Sequence, residues 1–247
     1  MRQIHKKAIV VFTSLTLINI FFNAALCYFL FQIGGFAKQA MYFIAPVSFY
    51  LTNIFTYRVL FYFLNFPTHD IPKNTSKDFA FQLYVLYLLI FFNFFIHNPL
   101  LPLPISKLFY QMLGTKFGSG SYSVGIILDP AHVEIGENSI VGFDAVLCSH
   151  ALEGENVSFE KIIIGSNVTI GLRSMIMPGV IIEDHSIVAA GALIPKNTHI
   201  KKGEVWAGIP AKKIKQSQEE VKPLIVDFEL NSKNEIQNLK KELFSKD

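Results

Sequence analysis

The chain has 247 residues, of which 51% are hydrophobic, and a formal net charge of +3 at pH 7. This length allows one or two domains, and the near balance of charge gives no reason to expect a nucleic-acid partner. Eighteen of the 24 phenylalanines lie before residue 100, which divides the chain into two parts of different composition. The two cysteines, Cys27 and Cys148, lie in such different surroundings that we expect no disulfide, which suits a reducing compartment.

Three apolar runs fill most of residues 1–97 and predict membrane-embedded α-helices. Ala8–Phe36 carries no charge and is long enough to cross a bilayer. Met41–Phe66 contains one charge, Arg58, which we interpret as reaching to a membrane face or as a functional group. Phe79–Ile96 is uncharged but barely long enough, so we favour two full spans and a partly inserted third helix. The alternative topology has the N-terminus outside. Buried core helices of a soluble domain are the alternative, although three such runs would overfill a soluble core.

The connector, residues 98–116, contains three prolines that stop a helix, at Pro99, Pro102 and Pro104. Ile105–Leu113 then predicts a short amphipathic helix that ends at Gly114. Its apolar side is formed by Leu108, Phe109, Met112 and Leu113. We expect this helix to lie on the membrane and to cover the open end of the domain that follows.

A six-residue repeat dominates residues 117–215. An aliphatic residue recurs at every sixth position, at Ile164, Ile170, Ile176, Ile182, Val188, Ile194 and Ile200. Neither an α-helix nor the two-residue alternation of a plain strand has this period. The interval instead fits a solenoid in which short strands alternate with tight corners and successive coils stack, because one repeat cannot bury its aliphatic side chain alone.

The repeat is interrupted once, between Leu147 and Ile164, where residues 151–161 are mostly polar. A regular solenoid that extrudes a loop at one corner is expected to place function there, since a rigid scaffold holds the loop. His150 lies where the loop begins. A histidine suits a general base because its ordinary pKa is close to neutral pH.

These motifs resemble the hexapeptide-repeat acyltransferases, in particular members linked to membranes. The resemblance covers roughly residues 113–215 and includes His150 followed by Glu153-Gly154, and the closing sequence Gly208-Ile-Pro-Ala-Lys. It implies a left-handed parallel β-helix, preceded here by transmembrane α-helices. It also implies that His150 is the catalytic base and that Glu153 orients it.

The same resemblance implies an acyl-CoA donor, most often acetyl-CoA, with no metal. Small residues would line the slot for the pantetheine arm, at Gly171, Ala189, Ala190 and Gly191. Arg173 and Lys212 would meet phosphate, and Pro210 would flank the adenine. We also expect a homotrimer, because sites of this family lie between subunits.

These inferences together predict a membrane-anchored O- or N-acetyltransferase that acts on a lipid-linked or cell-surface glycan precursor. Arg2, Lys6 and Lys7 favour a cytoplasmic N-terminus, and cytosolic CoA favours a cytoplasmic β-helix, on a multi-pass protein of the cell (inner) membrane. Two alternatives remain, a non-enzymatic scaffold and a zinc hydratase of the carbonic anhydrase type. The hydratase needs three converging histidines, which the spacing of His150, His185 and His199 does not match.

The tail, residues 216–247, is more polar than the repeats. It contains a capping box at Ser232–Glu235 followed by an apolar stripe at Ile236, Leu239, Leu243 and Phe244. This pattern predicts a short amphipathic helix that packs on the solenoid or on a neighbouring subunit.

Overall fold

The computed structural model describes residues 3–33, 38–65, 68–97 and 101–216. The predicted amphipathic helix of the tail lies outside these residues. The helical elements are α1 (Lys6–Ile33), α2 (Lys38–Leu64), α3 (Ser76–Tyr87), a π-helical turn (Leu88–Phe92), α4 (Asn93–Ile96) and α5 (Leu103–Leu113).

The third apolar run forms a helix that starts at a well-defined cap. Thr75 is the N-cap of α3, and its side chain accepts a hydrogen bond from the Asp78 N–H. The Asp78 carboxylate in return accepts the Asn74 N–H at 3.0 Å, so the first turn satisfies donors that would otherwise be orphaned. The π-helical turn and α4 continue the same apolar stretch as far as Ile96.

The α1–α2 pair is polar at its contact and apolar outside. Asn19 and Asn53 are buried, and the Asn19 Nδ2 donates to Asn53 Oδ1 at 3.1 Å. The outward side chains of Phe21, Phe43 and Phe63 are 72%, 77% and 75% exposed. This distribution is the reverse of that in a soluble helix pair, where the apolar side chains face the contact.

Two helical stretches are long and apolar enough to cross a membrane, Lys6–Gln32 and Ser76–Ile96. This differs from the sequence expectation, in which Met41–Phe66 was a full span and the third run only partly inserted. The second run contains Thr52, Asn53 and Arg58, which lower its apolar character. Of the two stretches, Ser76–Ile96 is the more buried within the protein.

The strands after residue 115, together with one earlier strand, are short. They are β1 (His69–Ile71), β2 (Lys116–Phe117), β3 (Tyr122–Ser123), β4 (Ile126–Ile127), β5 (Val133–Ile135), β6 (Ile140–Val141), β7 (Val146–Leu147), β8 (His150–Glu153), β9 (Asn156–Phe159), β10 (Ile162–Ile164), β11 (Thr169–Ile170), β12 (Met175–Ile176), β13 (Ile181–Ile182), β14 (Ile187–Val188), β15 (Leu193–Ile194), β16 (His199–Ile200), β17 (Glu204–Gly208) and β18 (Ala211–Gln216).

These strands stack into three parallel sheets that form the sides of a parallel β-helix. The first sheet has the order β16-β13-β10-β5-β2, the second β17-β14-β11-β6-β3, and the third β15-β12-β7-β4. The strand β18 folds back antiparallel on β17 at the end of the second sheet. The chain visits the three sheets in turn, which is the arrangement that the six-residue repeat predicts.

The repeated aliphatic positions form the core of this helix. Ile170, Ile176 and Ile194 are each no more than 1% exposed, and the aliphatic residues before the interruption, such as Leu147, are equally buried. Residues with positive φ recur at the corners, for example Asn138, Asn167 and His185 between the first and second sheets. One left-handed residue at a corner lets the chain turn between two short strands, and asparagine tolerates that conformation well.

Helix α5 packs at the first coil, where it contacts β2 and β3. Phe109, Tyr110 and Leu113 are buried in this contact, whereas Leu108 is 57% exposed and does not belong to the covered side. The Tyr110 hydroxyl accepts the Ile127 N–H at 3.3 Å. This hydrogen bond satisfies a backbone donor that the end of a β-helix would otherwise leave unpaired.

The interruption of the repeat folds as an ordered β-hairpin. Strands β8 and β9 pair antiparallel, and β1 from the segment between α2 and α3 adds to β9 as a third strand. The hairpin thereby joins the β-helix to the helical part of the chain. His150 is the first residue of β8, so its backbone is fixed in a strand and not in a loose loop.

Candidate active site

His150 lies at the corner between the third and first sheets, where the hairpin leaves the β-helix. Its side chain is 32% exposed, which leaves one edge of the ring accessible. The ring lies 5.8 Å from the Phe159 ring at the base of the hairpin, measured between centroids. The role of His150 as the base stays a prediction from the sequence.

The partner of the His150 ring is Asp129, one coil earlier in the β-helix. The His150 Nδ1 lies 2.7 Å from Asp129 Oδ2, and the Asp129 side chain is only 2% exposed. Asp129 directly precedes the short helical turn Pro130–His132. Leu128 donates its N–H to the Leu147 carbonyl, which puts Asp129 beside the start of the hairpin. The position of Asp129, one coil before His150, is the signal by which the sequence could have revealed it.

Further donors fix the Asp129 carboxylate. Oδ2 also accepts the Ser149 N–H at 2.9 Å, and Oδ1 accepts the Tyr84 hydroxyl at 3.2 Å. Tyr84 belongs to α3, so an apolar helix supplies a direct contact to this pair. A buried carboxylate that accepts several hydrogen bonds is held in one orientation.

The electrostatics of the pair favour the charged imidazole. The hydrogen bond to Asp129 is the largest cause, followed by the Cys148 thiol, and together they raise the pKa of His150 to about 10 against the opposing effect of burial. With Nδ1 bonded to the carboxylate, Nε2 is the nitrogen left to exchange a proton with a ligand. The arrangement is a histidine and an orienting carboxylate, the pair that general-base catalysis uses.

The raised pKa has consequences for pH dependence. Because the folded pKa lies above the ordinary value of 6.5, the ion pair stabilises the fold fully below pH 6.5 and loses this contribution as pH rises toward 10. A general base must be neutral, so kcat/KM is expected to increase with pH. Replacing Asp129→Asn should move the midpoint of that increase toward pH 6.5, by at least about one unit. Measured pH–rate profiles of both proteins with equal midpoints would contradict the role of Asp129.

Glu153, which the sequence suggested as the orienting residue, lies elsewhere on the hairpin. Its side chain is 72% exposed and forms an ion pair with Lys196. Cys148 lies closer to the site, with its Sγ 3.8 Å from His150 Nδ1. The carboxylate that holds the His150 ring is therefore Asp129, which sequence reasoning did not select.

The predicted CoA residues lie together on another part of the β-helix. Gly171 and Ala189–Gly191 occupy neighbouring coils at the corner between the second and third sheets, where a Cβ on Gly171 would lie 2.4 Å from the Ala190 nitrogen. Arg173 lies at the same corner, with its Nε 3.6 Å from Asp144 Oδ2. The structure brings these residues together with one another but places them at a different corner from His150.

Pro210 and Lys212 belong to the closing hairpin of β17 and β18. Pro210 is in the turn, and Lys212 pairs with Ala207 in the antiparallel ladder. The neighbouring Lys213 forms a 2.9 Å ion pair with Glu204. Glu204 is buried yet also accepts the Trp206 Nε1–H, so the closing hairpin satisfies it fully.

A mostly apolar cavity of about 510 Å³ lies beside His150. One wall comes from α3, the π-helical turn and α4, and the other from the hairpin of β8 and β9. His150 and Asp129 both line it. The candidate base therefore faces a space large enough for a ligand, at the junction between the helical part and the β-helix.

Comparison with known proteins identifies the repeats. Residues 161–196 match the family model described as the hexapeptide repeat of succinyl-transferase. These residues are therefore hexapeptide repeats of the kind that this family model describes.

Two curated relatives illustrate the range of this similarity. Gamma carbonic anhydrase 1, mitochondrial, from Arabidopsis thaliana is 38% identical over 86 residues, which are 35% of this chain and 27% of that protein. Galactoside O-acetyltransferase from Escherichia coli is 37% identical over 98 residues, covering 36% of this chain and 47% of that protein. The chain thus spans from about a quarter to about half of the length of these two relatives.

Among solved structures, this chain is similar to a hexapeptide-repeat acetyltransferase from Vibrio cholerae in complex with acetyl coenzyme A. The similarity covers 43% of this chain and 62% of the acetyltransferase chain. The sequence identity is 20% and the TM-score 0.40.

The described residues do not assemble the three histidines that a zinc hydratase needs. His199 Nε2 pairs with Glu183 at 2.7 Å, and His185 is a corner residue between the first and second sheets. Within the described ranges, the donor atoms close enough to hold a metal are those of Asp129, Cys148 and His150, within 4.8 Å of one another. This set contains a single histidine, so within one subunit it does not supply the three histidines that a zinc hydratase needs.

Proposed function

We propose that the chain is an acetyltransferase that moves an acetyl group from acetyl-CoA to a hydroxyl or amine. The observation that carries this proposal is the Asp129–His150 pair, which faces a ligand-sized cavity at the break in the repeat. The similarity to galactoside O-acetyltransferase supports it, since that protein is named for the same reaction class.

The reaction assigns a role to each atom of the pair. The acceptor hydroxyl or amine attacks the thioester carbonyl and gives its proton to His150 Nε2, while Asp129 stabilises the imidazolium through Nδ1. The tetrahedral intermediate then collapses, the carbon–sulfur bond breaks, and the CoA sulfur leaves with the proton that the imidazolium returns. The products are the acetylated acceptor and free CoA.

The donor slot is proposed to lie between subunits. Gly171 and Ala189–Gly191 are at one corner of the β-helix and His150 is at another. The slot and the base of a single subunit therefore lie apart. A trimer packed around the β-helix axes would bring the slot of one subunit beside the base of its neighbour. The outward side chains of Ile163 and Ile181 on the first sheet are each 39% exposed and offer apolar surface for such a contact.

The helical part is proposed to bind the membrane, with the β-helix in the cytoplasm where CoA is available. The exposed phenylalanines of α1 and α2 and the buried asparagines between them support this, because lipid favours apolar side chains outside and paired polar groups inside. The two helical stretches that are long and apolar enough to span a bilayer also support membrane binding. A multi-pass protein of the cell (inner) membrane is the arrangement that we propose.

Assembly and membrane attachment can be tested on the full chain. We expect the protein to remain with membranes after alkaline carbonate extraction and to show three-fold mass by light scattering in mild detergent. A soluble protein after extraction would overturn the attachment, and an active monomer would overturn the shared site.

The acceptor class is proposed to be a lipid-linked or cell-surface glycan precursor. Mass spectrometry of the lipid and glycan fractions from cells with and without the gene should reveal a component that gains one acetyl group when the gene is present. The purified protein with isotopically labelled acetyl-CoA should transfer the label to that component. Identical fractions, together with no binding of coenzyme A, would favour a non-enzymatic scaffold.

A further inference from the structure

The cavity beside His150 has a polar end and long apolar walls. Val85, Leu88 and Leu89 line it from the helical side, and Leu152 and Val157 line it from the hairpin. Its volume of about 510 Å³ falls in the range of about 300–1,000 Å³ that is usual for small-molecule sites. Walls of this kind favour an apolar chain over a sugar, which would need many hydrogen-bonding groups.

One buried polar group in this cavity lacks a partner among the described residues. Gln82 is 3% exposed and lines the cavity. Its Oε1 accepts the His5 N–H at 2.7 Å, but its Nε2 has no hydrogen-bond partner in the described part of the chain. A buried donor without a partner is costly, and a turn of the Gln82 side chain toward the cavity would let an acceptor atom on a ligand satisfy it.

The helical wall also connects the cavity with the outer surface of the helical part. Leu89, in the π-helical turn, lines the cavity and is 62% exposed. The same turn belongs to Ser76–Ile96, one of the two stretches able to cross a membrane. A π-helical turn inside an α-helix is frequently found at a functional site. A chain that enters past Leu89 would pass from the membrane side toward His150.

We infer that this cavity holds the aliphatic chain of the acceptor, an amphiphile whose hydroxyl or amine reaches His150 and whose neighbouring oxygen accepts from Gln82. The inference rests on the proposed acetyltransfer and names the acceptor class more closely. The occupant is the acceptor and not the acyl donor, because the cavity is lined by the base that takes the acceptor's proton. The residues expected to bind CoA, from Gly171 to Lys212, do not line it.

The test uses the full chain in lipid nanodiscs and a long-chain fatty alcohol that carries a photoreactive diazirine. Irradiation is expected to label the hairpin peptide, residues 150–159, and a short-chain alcohol with the same group is expected to label it weakly. The variant Leu89→Trp narrows the entrance and should reduce hairpin labelling by about tenfold, which corresponds to about 1.4 kcal/mol of lost binding free energy.

The matched control is Ile90→Trp. Ile90 is the next residue of the same turn and is 58% exposed, but it does not line the cavity. Both positions are exposed, so neither substitution should prevent folding. We expect labelling of the Ile90→Trp protein to stay within about twofold of the parent.

Two outcomes separate this inference from the proposed function. Equal hairpin labelling by short and long probes, or equal labelling of the Leu89→Trp and Ile90→Trp proteins, would overturn the aliphatic-chain site while leaving acetyl transfer untouched. Specific labelling in a protein that neither binds acetyl-CoA nor transfers acetyl would instead refute the acetyltransferase proposal. In that case the chain-binding cavity would stand without the acceptor role.

Discussion

The variant His150→Ala is expected to lose about 10²–10⁴-fold in kcat, the usual contribution of a general base. The loss should be confined to chemistry, because the proposed CoA residues lie at another corner of the β-helix and should still bind the cofactor. Acetyl transfer measured with labelled acetyl-CoA gives the rate, and calorimetric titration with CoA gives the affinity. His150→Gln adds a second test, since its amide can donate to Asp129 but cannot accept the proton of the substrate.

The control for this prediction is another histidine with an acidic partner. His199 pairs with Glu183 at 2.7 Å, just as His150 pairs with Asp129, but it lies on the first sheet and does not line the cavity. His199→Ala should therefore keep turnover within about twofold of the parent. Turnover of His150→Ala within that same margin would overturn the assignment of His150 as the base.

The variant Ile176→Asp is expected to unfold the β-helix. Ile176 is fully buried in β12, between β7 and β15 of the third sheet, where an ionised carboxylate would have no partner. Burying an unpaired charge, together with losing the packed aliphatic side chain, should cost more than about 4–5 kcal/mol. That loss approaches the whole stability of a typical domain, so CoA binding and activity should vanish together.

The adjacent residue provides the control. Met175 belongs to the same strand, but its side chain points outward and is 40% exposed. Met175→Asp leaves the charge in water and should change the free energy of unfolding by about 0.5 kcal/mol or less. Circular dichroism during thermal unfolding measures both variants. A stable Ile176→Asp protein would mean that the repeated aliphatic positions do not form the core.

The sequence alone determined the β-helix, because its signals are local and periodic. The aliphatic residues from Ile164 to Ile200 recur at an interval that only stacked short strands satisfy, and the structure buries them. The same regularity made the interruption after Leu147 visible and pointed to His150. The capping helix before Gly114 followed from equally local rules of proline, glycine and amphipathic spacing.

Only the tertiary structure decided which carboxylate holds His150. Asp129 is 21 positions away from it, whereas Glu153 is close in sequence but is directed to Lys196. Tyr84, which lies 45 positions before Asp129, reaches the carboxylate from α3. Such contacts depend on how coils stack and how a separate helix docks, and no local pattern encodes them.

The cavity, too, could not be predicted from the sequence. The apolar residues around Leu89 read as part of a membrane helix, and the polar stretch after His150 read as a loop. Because that stretch forms a hairpin that pairs with β1, it stands opposite α3, and the space between the two becomes a site. Periodicity specifies which residues face a core, but a cavity arises between two elements whose relative position is set by contacts far apart in the chain.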